Sequence, residues 1–196
     1  MLRLSRSLLL LAIALFAVES HAETTPEQRL LVCNTCHGAA GVSKMEGVPS
    51  MGGMPRGYVL VQLILFREKR RVVAPMNALL AGLSDDDLQS MADLIAAVPA
   101  PVLVALPLVE AQADYDPDRT RALAVKYHCV SWHGSDLAGH GQVPRIAGQR
   151  EEYVLKSLRT YQNNTRVAYQ PTMIESVQGI PDLELQALAK FVSQFR

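Results

Sequence analysis

The chain has 196 residues with 19 basic and 19 acidic side chains, so its formal charge is zero. This length suits one ordinary domain or two small ones. A balanced charge without a long block of one sign argues against nucleic acid as a partner. The 3 cysteines form an odd and sparse set, which argues against a framework of disulfides.

The first 22 residues have the order of a secretory signal peptide. Arg3 and Arg6 give a basic start, residues 8–18 form an uncharged apolar run, and Ser20-His21-Ala22 offers small residues for cleavage. An uncleaved signal anchor is the alternative, although the run is short for a membrane span. We therefore expect export, and a mature protein that is soluble or peripheral at the membrane.

Cys33-Asn-Thr-Cys36-His37 is the first motif that carries chemistry. Two thiols one helical turn apart can reach the two vinyl groups of a porphyrin, and the adjacent histidine is then directed at the iron. A redox dithiol normally follows a strand in a βαβ unit, and no second CxxC completes a zinc site. The motif therefore predicts a covalently attached haem c, with Cys33 and Cys36 as anchors and His37 as an iron ligand.

The chain contains an internal repeat at nearly constant spacing. The matching segments are CNTCH at 33–37 and CVSWH at 129–133, YVLVQL at 58–63 and YVLKSL at 153–158, and GLSDDDLQ at 82–89 and GIPDLELQ at 179–186. A repeat of this kind indicates two units of one fold. We expect a first domain over 23–98 and a second over 115–196. Prolines in the segment 99–114 disfavour a helix and predict an extended linker.

Both halves are expected to be helical, because no stretch shows sustained alternation of apolar and polar residues. We predict a helix over 26–33 or 118–128 that leads into the cysteine motif, a second helix from Tyr58 or Tyr153, and a last helix capped at Ser84 in the first half. Units this small usually need a staple, a metal or a large cofactor. The predicted fold is all-α, with two tandem domains.

Met76 and Met173 are the candidates for the distal iron ligands. A methionine is by default a flexible apolar filler of a core. Here each one follows a proline-containing segment, and we expect each in a loop before the last helix of its half. Matching positions in the two halves favour a ligand role, with His37 and Met76 in one domain and His133 and Met173 in the other.

Together these motifs resemble class I cytochrome c. The tandem copy, with PRIAGQ at 144–149 and Tyr153, is similar to the two-domain, dihaem cytochrome c4 type, and cytochrome subunits of flavocytochrome c are also similar. The resemblance implies two helical haem domains in the bacterial periplasm that pass single electrons. It also implies that Pro49 and Pro144 border the haem pockets.

The second motif departs from the family pattern, because Trp132 stands where the second thiol belongs. Three interpretations stay open. Haem still binds, through His133, Met173 and one bond to Cys129. Alternatively, the second domain is a haem-free scaffold whose slot Trp132 helps to fill. The third is a single-base change or a sequencing fault.

We expect an electron-transfer protein without catalytic turnover of its own, because no acid, base or nucleophile constellation is evident. The alternative is a haem subunit of an oxidoreductase with a flavin- or metal-containing dehydrogenase, the second domain serving as a haem-free docking scaffold. The expected partners are redox proteins, including a dehydrogenase subunit or a terminal oxidase. The basic cluster in FREKRR, residues 66–71, is expected to be a solvated helix end.

Overall fold

The computed structural model describes residues 24–101, 116–166 and 171–195. The predicted signal peptide and most of the predicted linker lie outside these ranges. We call 24–101 the first half and 116–195 the second half. Regular structure within them is helical, and the only β-type pairing there is an isolated bridge between His140 and Val143. None of the described helices has the length and apolar character that a bilayer span needs.

The two halves repeat one arrangement of helices. The helices are α1 Pro26–His37, α2 Arg56–Arg67, α3 Ala74–Leu80, α4 Asp85–Ala96, α5 Pro117–Lys126, α6 Cys129–His133, α7 Glu151–Gln162, α8 Pro171–Val177 and α9 Asp182–Gln194. In the first half, α2 packs against α3 and α4, and α1 packs against α4. In the second half, α7 packs against α8 and α9, and α5 packs against α6 and α9.

Each half has its own apolar core. Leu88 on α4 and Leu185 on α9 occupy equivalent places in the repeat, and both are fully buried. The predicted cap of α4 is confirmed, because the Ser84 side chain accepts a hydrogen bond from the Asp87 amide and Asp87 accepts one from the Ser84 amide. Such reciprocal caps satisfy amides that a helix leaves unpaired at its start.

The helices that lead into the two cysteine motifs differ from the prediction. In the first half, α1 does not end at Cys33 but runs unbroken to His37. In the second half, the helix ends at Lys126, and His128 has a left-handed backbone with φ of 57°. Histidine tolerates this conformation better than Val32, the β-branched residue at the equivalent position of α1. The second motif therefore forms a separate short helix, α6.

The prediction that Met76 and Met173 lie in loops is wrong. Each is the third residue of a short helix, α3 or α8, whose first turn contains a proline. Proline is compatible with the first turn because its missing N–H would have had no partner within the helix there. Both methionines are therefore held by helical backbone.

Candidate functional site

His37 lies buried at the end of α1. Its Nδ1 is 2.8 Å from the carbonyl oxygen of Pro49. Because a carbonyl only accepts hydrogen bonds, Nδ1 carries the proton, and Nε2 is left with the lone pair that a metal binds. Burial lowers the pKa of His37, and the hydrogen bond to Pro49 opposes this only in part. The ring is therefore neutral and fixed in orientation.

His133 repeats this arrangement in the second half. Its Nδ1 is 2.9 Å from the carbonyl oxygen of Pro144, and burial lowers its pKa in the same way. The two prolines thus hold the two histidines through their carbonyl groups. The second half retains this geometry although its motif lacks one thiol.

The three cysteines are free thiols in different environments. Cys33 is half-buried and packs on the core of the first half, and burial raises its pKa. Cys36 is exposed, on the same helix. Burial raises the pKa of Cys129 to about 11, so this thiol is protonated at neutral pH. All three are available for covalent attachment of a ligand.

An apolar cleft lies mainly in the second half, with Met54 and Tyr58 of the first half at its edge, and its space amounts to about 980 Å³ when the adjoining open solvent is included. Its lining includes Cys129, His133 and Met173, so the structure brings these three predicted residues to one space. Trp132 also lines the cleft, yet its side chain is 48% exposed. An imidazole nitrogen, a thioether and a thiol around an apolar cleft are a donor set that fits a haem.

Met76 lies half-buried in the first half. It packs against the same core cluster as Cys33, which places both against one group of apolar side chains. Its equivalent Met173 packs against the core of the second half and faces the cleft there. The predicted ligands therefore lie in corresponding surroundings in the two halves.

A polar cluster that the sequence analysis did not identify joins the two halves. Arg71 donates from Nη2 to the Tyr153 hydroxyl at 3.1 Å and from Nη1 to Gln62. Arg166 donates to the same Gln62 oxygen at 3.4 Å. Burial raises the pKa of Tyr58. Burial acts in the same direction on Tyr153, but the two guanidinium groups outweigh it and lower that pKa.

The repeat itself carried a signal for this cluster. Tyr58 and Tyr153 are equivalent positions, and so are Arg71 and Arg166. The expectation that all of residues 66–71 form a solvated helix end is wrong for Arg71. Lys69 is exposed as expected, but Arg71 is half-buried over the Phe66 ring and reaches the second half.

A second set of contacts between the halves is centred on Gln149. Its side chain accepts from the Ser50 amide at 2.8 Å and donates to the Ser50 carbonyl at 3.0 Å. Arg150 donates to the carbonyl of Ser43 at 3.2 Å, and the amide of Tyr58 donates to the carbonyl of Gly141 at 3.0 Å. These bonds hold the loop before α2 against the second half.

Two curated proteins are similar over most of the chain. Cytochrome c4 from Pseudomonas aeruginosa is 31% identical over 143 residues, which are 71% of each chain. The thiosulfate dehydrogenase electron acceptor of Stutzerimonas stutzeri is 29% identical over 167 residues, which are 82% of this chain and 77% of that protein. No family model matches the chain.

Solved structures show the same fold. Reduced recombinant cytochrome c4 from Pseudomonas stutzeri superposes with a TM-score of 0.74 at 22% identity, over 87% of this chain and 97% of that one. Thiosulfate dehydrogenase (TsdBA) from Marichromatium purpuratum gives a TM-score of 0.67 at 26% identity, over 82% of this chain but 36% of that one. These likenesses confirm the predicted all-α fold of two tandem units.

Proposed function

Because the chain belongs to the cytochrome c4 family of electron-carrying proteins, we propose that its first half binds a haem c between His37 and Met76. Cys33 and Cys36 attach the porphyrin. When bound, haem supplies an iron that accepts and releases one electron at a time. The observation that supports this most is the hydrogen bond from His37 to Pro49, which leaves Nε2 free for the iron on the helix that also contains both thiols.

The residues of the first half have distinct tasks in this proposal. His37 gives the iron a nitrogen ligand whose orientation is fixed by a backbone carbonyl. Met76, held in α3, gives a thioether, and this pair of ligands favours a high reduction potential. Met76 and Cys33 pack on the apolar core of this half, and apolar surroundings also favour the less charged, reduced iron. The protein thus receives electrons from redox partners and passes them on without turnover of its own.

The test is a methionine substitution with a matched control. Met76→Ala in the holoprotein should lower the reduction potential and remove the weak sulfur-to-iron absorption band, because the thioether ligand is lost. Met45→Ala, at a methionine that is 47% exposed, should leave both unchanged. A Met76→Ala protein that keeps the band and the potential would contradict the assignment.

A more specific role is that of electron acceptor for a dehydrogenase. The likeness to the electron acceptor of thiosulfate dehydrogenase supports it, and so does the match to part of the longer TsdBA chain. In this role the protein works in the bacterial periplasm, to which the N-terminal segment directs it. The oxidised holoprotein would be mixed with a thiosulfate dehydrogenase and thiosulfate, and haem reduction followed by absorbance. Reduction only at the uncatalysed rate would leave the general electron carrier and remove this role.

A further inference from the structure

The altered motif at residues 129–133 adjoins a cleft that its tryptophan does not fill. Trp132 lies at the rim with about half of its side chain in solvent, and the apolar interior beyond it is lined by His133 and Met173. If the cleft bound nothing, larger side chains that filled it would stabilise the second half, since empty apolar cavities lower the stability of a protein. The cleft is therefore shaped for an occupant.

Iron-binding geometry is retained on the wall of this cleft. His133 keeps its Nδ1 bond to Pro144, which leaves Nε2 unprotonated, as in the first half. Met173 lines the same cleft from α8. The substitution at position 132 has therefore removed one attachment point and left the ligand pair in place.

The cleft also contains cations without a carboxylate partner. Arg145 and Arg166 line it, and neither forms an ion pair with a carboxylate in the described part of the chain. The Nε of Arg145 is buried without a hydrogen-bond partner. Buried cations are stabilised when an anion joins them, so the occupant should be apolar over most of its area and carry carboxylates. A porphyrin with two propionates has this chemistry.

Arg166 lies at the boundary with the first half, where it reaches Gln62. Arg145, Arg166 and Cys129 all line the cleft. A porphyrin bound there would offer its carboxylates to the arginines and a vinyl group to Cys129. An indole has no S–H to add to a vinyl group, so position 132 cannot form a bond of this kind.

We propose that the second haem implied by the dihaem resemblance is attached by a single thioether from Cys129, with His133 and Met173 as its iron ligands. This inference rests on the proposed function, since it takes the protein to be a haem carrier. In the attachment, the Cys129 sulfur bonds to one vinyl carbon, the S–H bond breaks, and the hydrogen goes to the other vinyl carbon. The C=C bond becomes single, and no oxidant or reductant is consumed. The other vinyl group stays unreacted beside Trp132.

The test counts haems in two ways on the full chain, expressed in a host that matures c-type cytochromes. Intact mass under denaturing conditions counts attached haems, and the pyridine haemochrome counts all haems and shifts with the number of unreacted vinyl groups. We expect two haems per chain, both attached, and a haemochrome band between those of the two-thioether and unattached forms. Cys129→Ala should reduce the attached number to one.

Trp132→Cys tests whether the absent second thioether is the one that a thiol at position 132 would form. It restores a second thiol, so the haemochrome band should move to the two-thioether position while two haems stay attached. Ser131→Cys, which adds a thiol at the exposed neighbouring position, is the matched control and should leave the band unchanged. If Trp132→Cys fails to fold, the mass and band of the unaltered chain decide.

The outcomes separate this inference from the proposed function. One haem per chain in total would overturn the inference and leave an electron carrier with one centre. Two haems of which only one is attached would overturn the single bond to Cys129. A chain that takes up no haem under conditions that mature a known c-type cytochrome would overturn the proposed function as well.

Discussion

Gln149→Ala should weaken the contact between the two halves of the protein. The Gln149 side chain is 4% exposed and satisfies both backbone groups of Ser50, which is itself 7% exposed. Truncation leaves a buried N–H and a buried C=O without partners. Each unsatisfied buried group costs roughly 1–3 kcal/mol. We therefore expect the free energy of unfolding of the holoprotein to fall by about 2–6 kcal/mol.

Urea unfolding followed by far-ultraviolet circular dichroism measures this loss. Gln186→Ala is the matched control, since that amide lies on an exposed surface and donates to the Asp182 carboxylate. It should change the free energy of unfolding by less than about 0.5 kcal/mol. If Gln149→Ala is no more destabilising than Gln186→Ala, the two hydrogen bonds to Ser50 do not hold the halves together and the reasoning is refuted.

Three further outcomes are expected. Gly57→Ala should cost about 1–3 kcal/mol of unfolding free energy, because the added Cβ would lie 2.8 Å from a carbonyl oxygen of the second half. Ser84→Ala should cost about 1 kcal/mol through loss of the cap to Asp87, as urea midpoints will show. Burial lowers the pKa of His37 and His133, so below pH of about 6.5 the unfolded chain binds protons that the native chain does not. Stability should therefore fall as the pH drops from 6.5 to 5, and constant stability over that range would contradict this.

The parts of the fold that depend on local sequence were predictable. Ser84 with Asp87 three residues later marks the start of α4 by hydrogen bonds between near neighbours, and the structure contains those bonds. The left-handed backbone of His128 was not predictable from the sequence. Histidine can adopt either a helical or a left-handed conformation, and the choice depends on how α5 and α6 pack together. The segments around Met76 and Met173 were predicted as loops for a similar reason, since a proline occurs both in the first turn of a helix and in loops.

Contacts between the halves were the least predictable part of the candidate site. Gln149 and Ser50 are far apart in the chain, and neither residue type indicates a partner at that distance. Arg71 looked like one member of a solvated basic cluster until the position of Tyr153 was known. The ligand roles of His37 and Met76 followed from motif and repeat rather than from packing, and they stay predictions that the substitutions above test.

The two hydrogen bonds between Gln149 and Ser50 have no counterpart with the roles of the two halves exchanged. In the alignment of the two halves, Gln149 corresponds to Met54 and Ser50 corresponds to Arg145. The reverse pair, in which Met54 would bond the backbone of Arg145, cannot form both hydrogen bonds, since a thioether has no hydrogen to donate to a carbonyl. If the chain arose by duplication of one ancestral unit, the copies have since diverged into complementary pieces. A chimaera built from two first halves would lack the amide, because Met54 stands at its position. One built from two second halves would keep the amide and a backbone for it to bind, because the bonds go to the backbone and not to the serine side chain. The contact between the halves therefore depends on a residue that only the second half supplies.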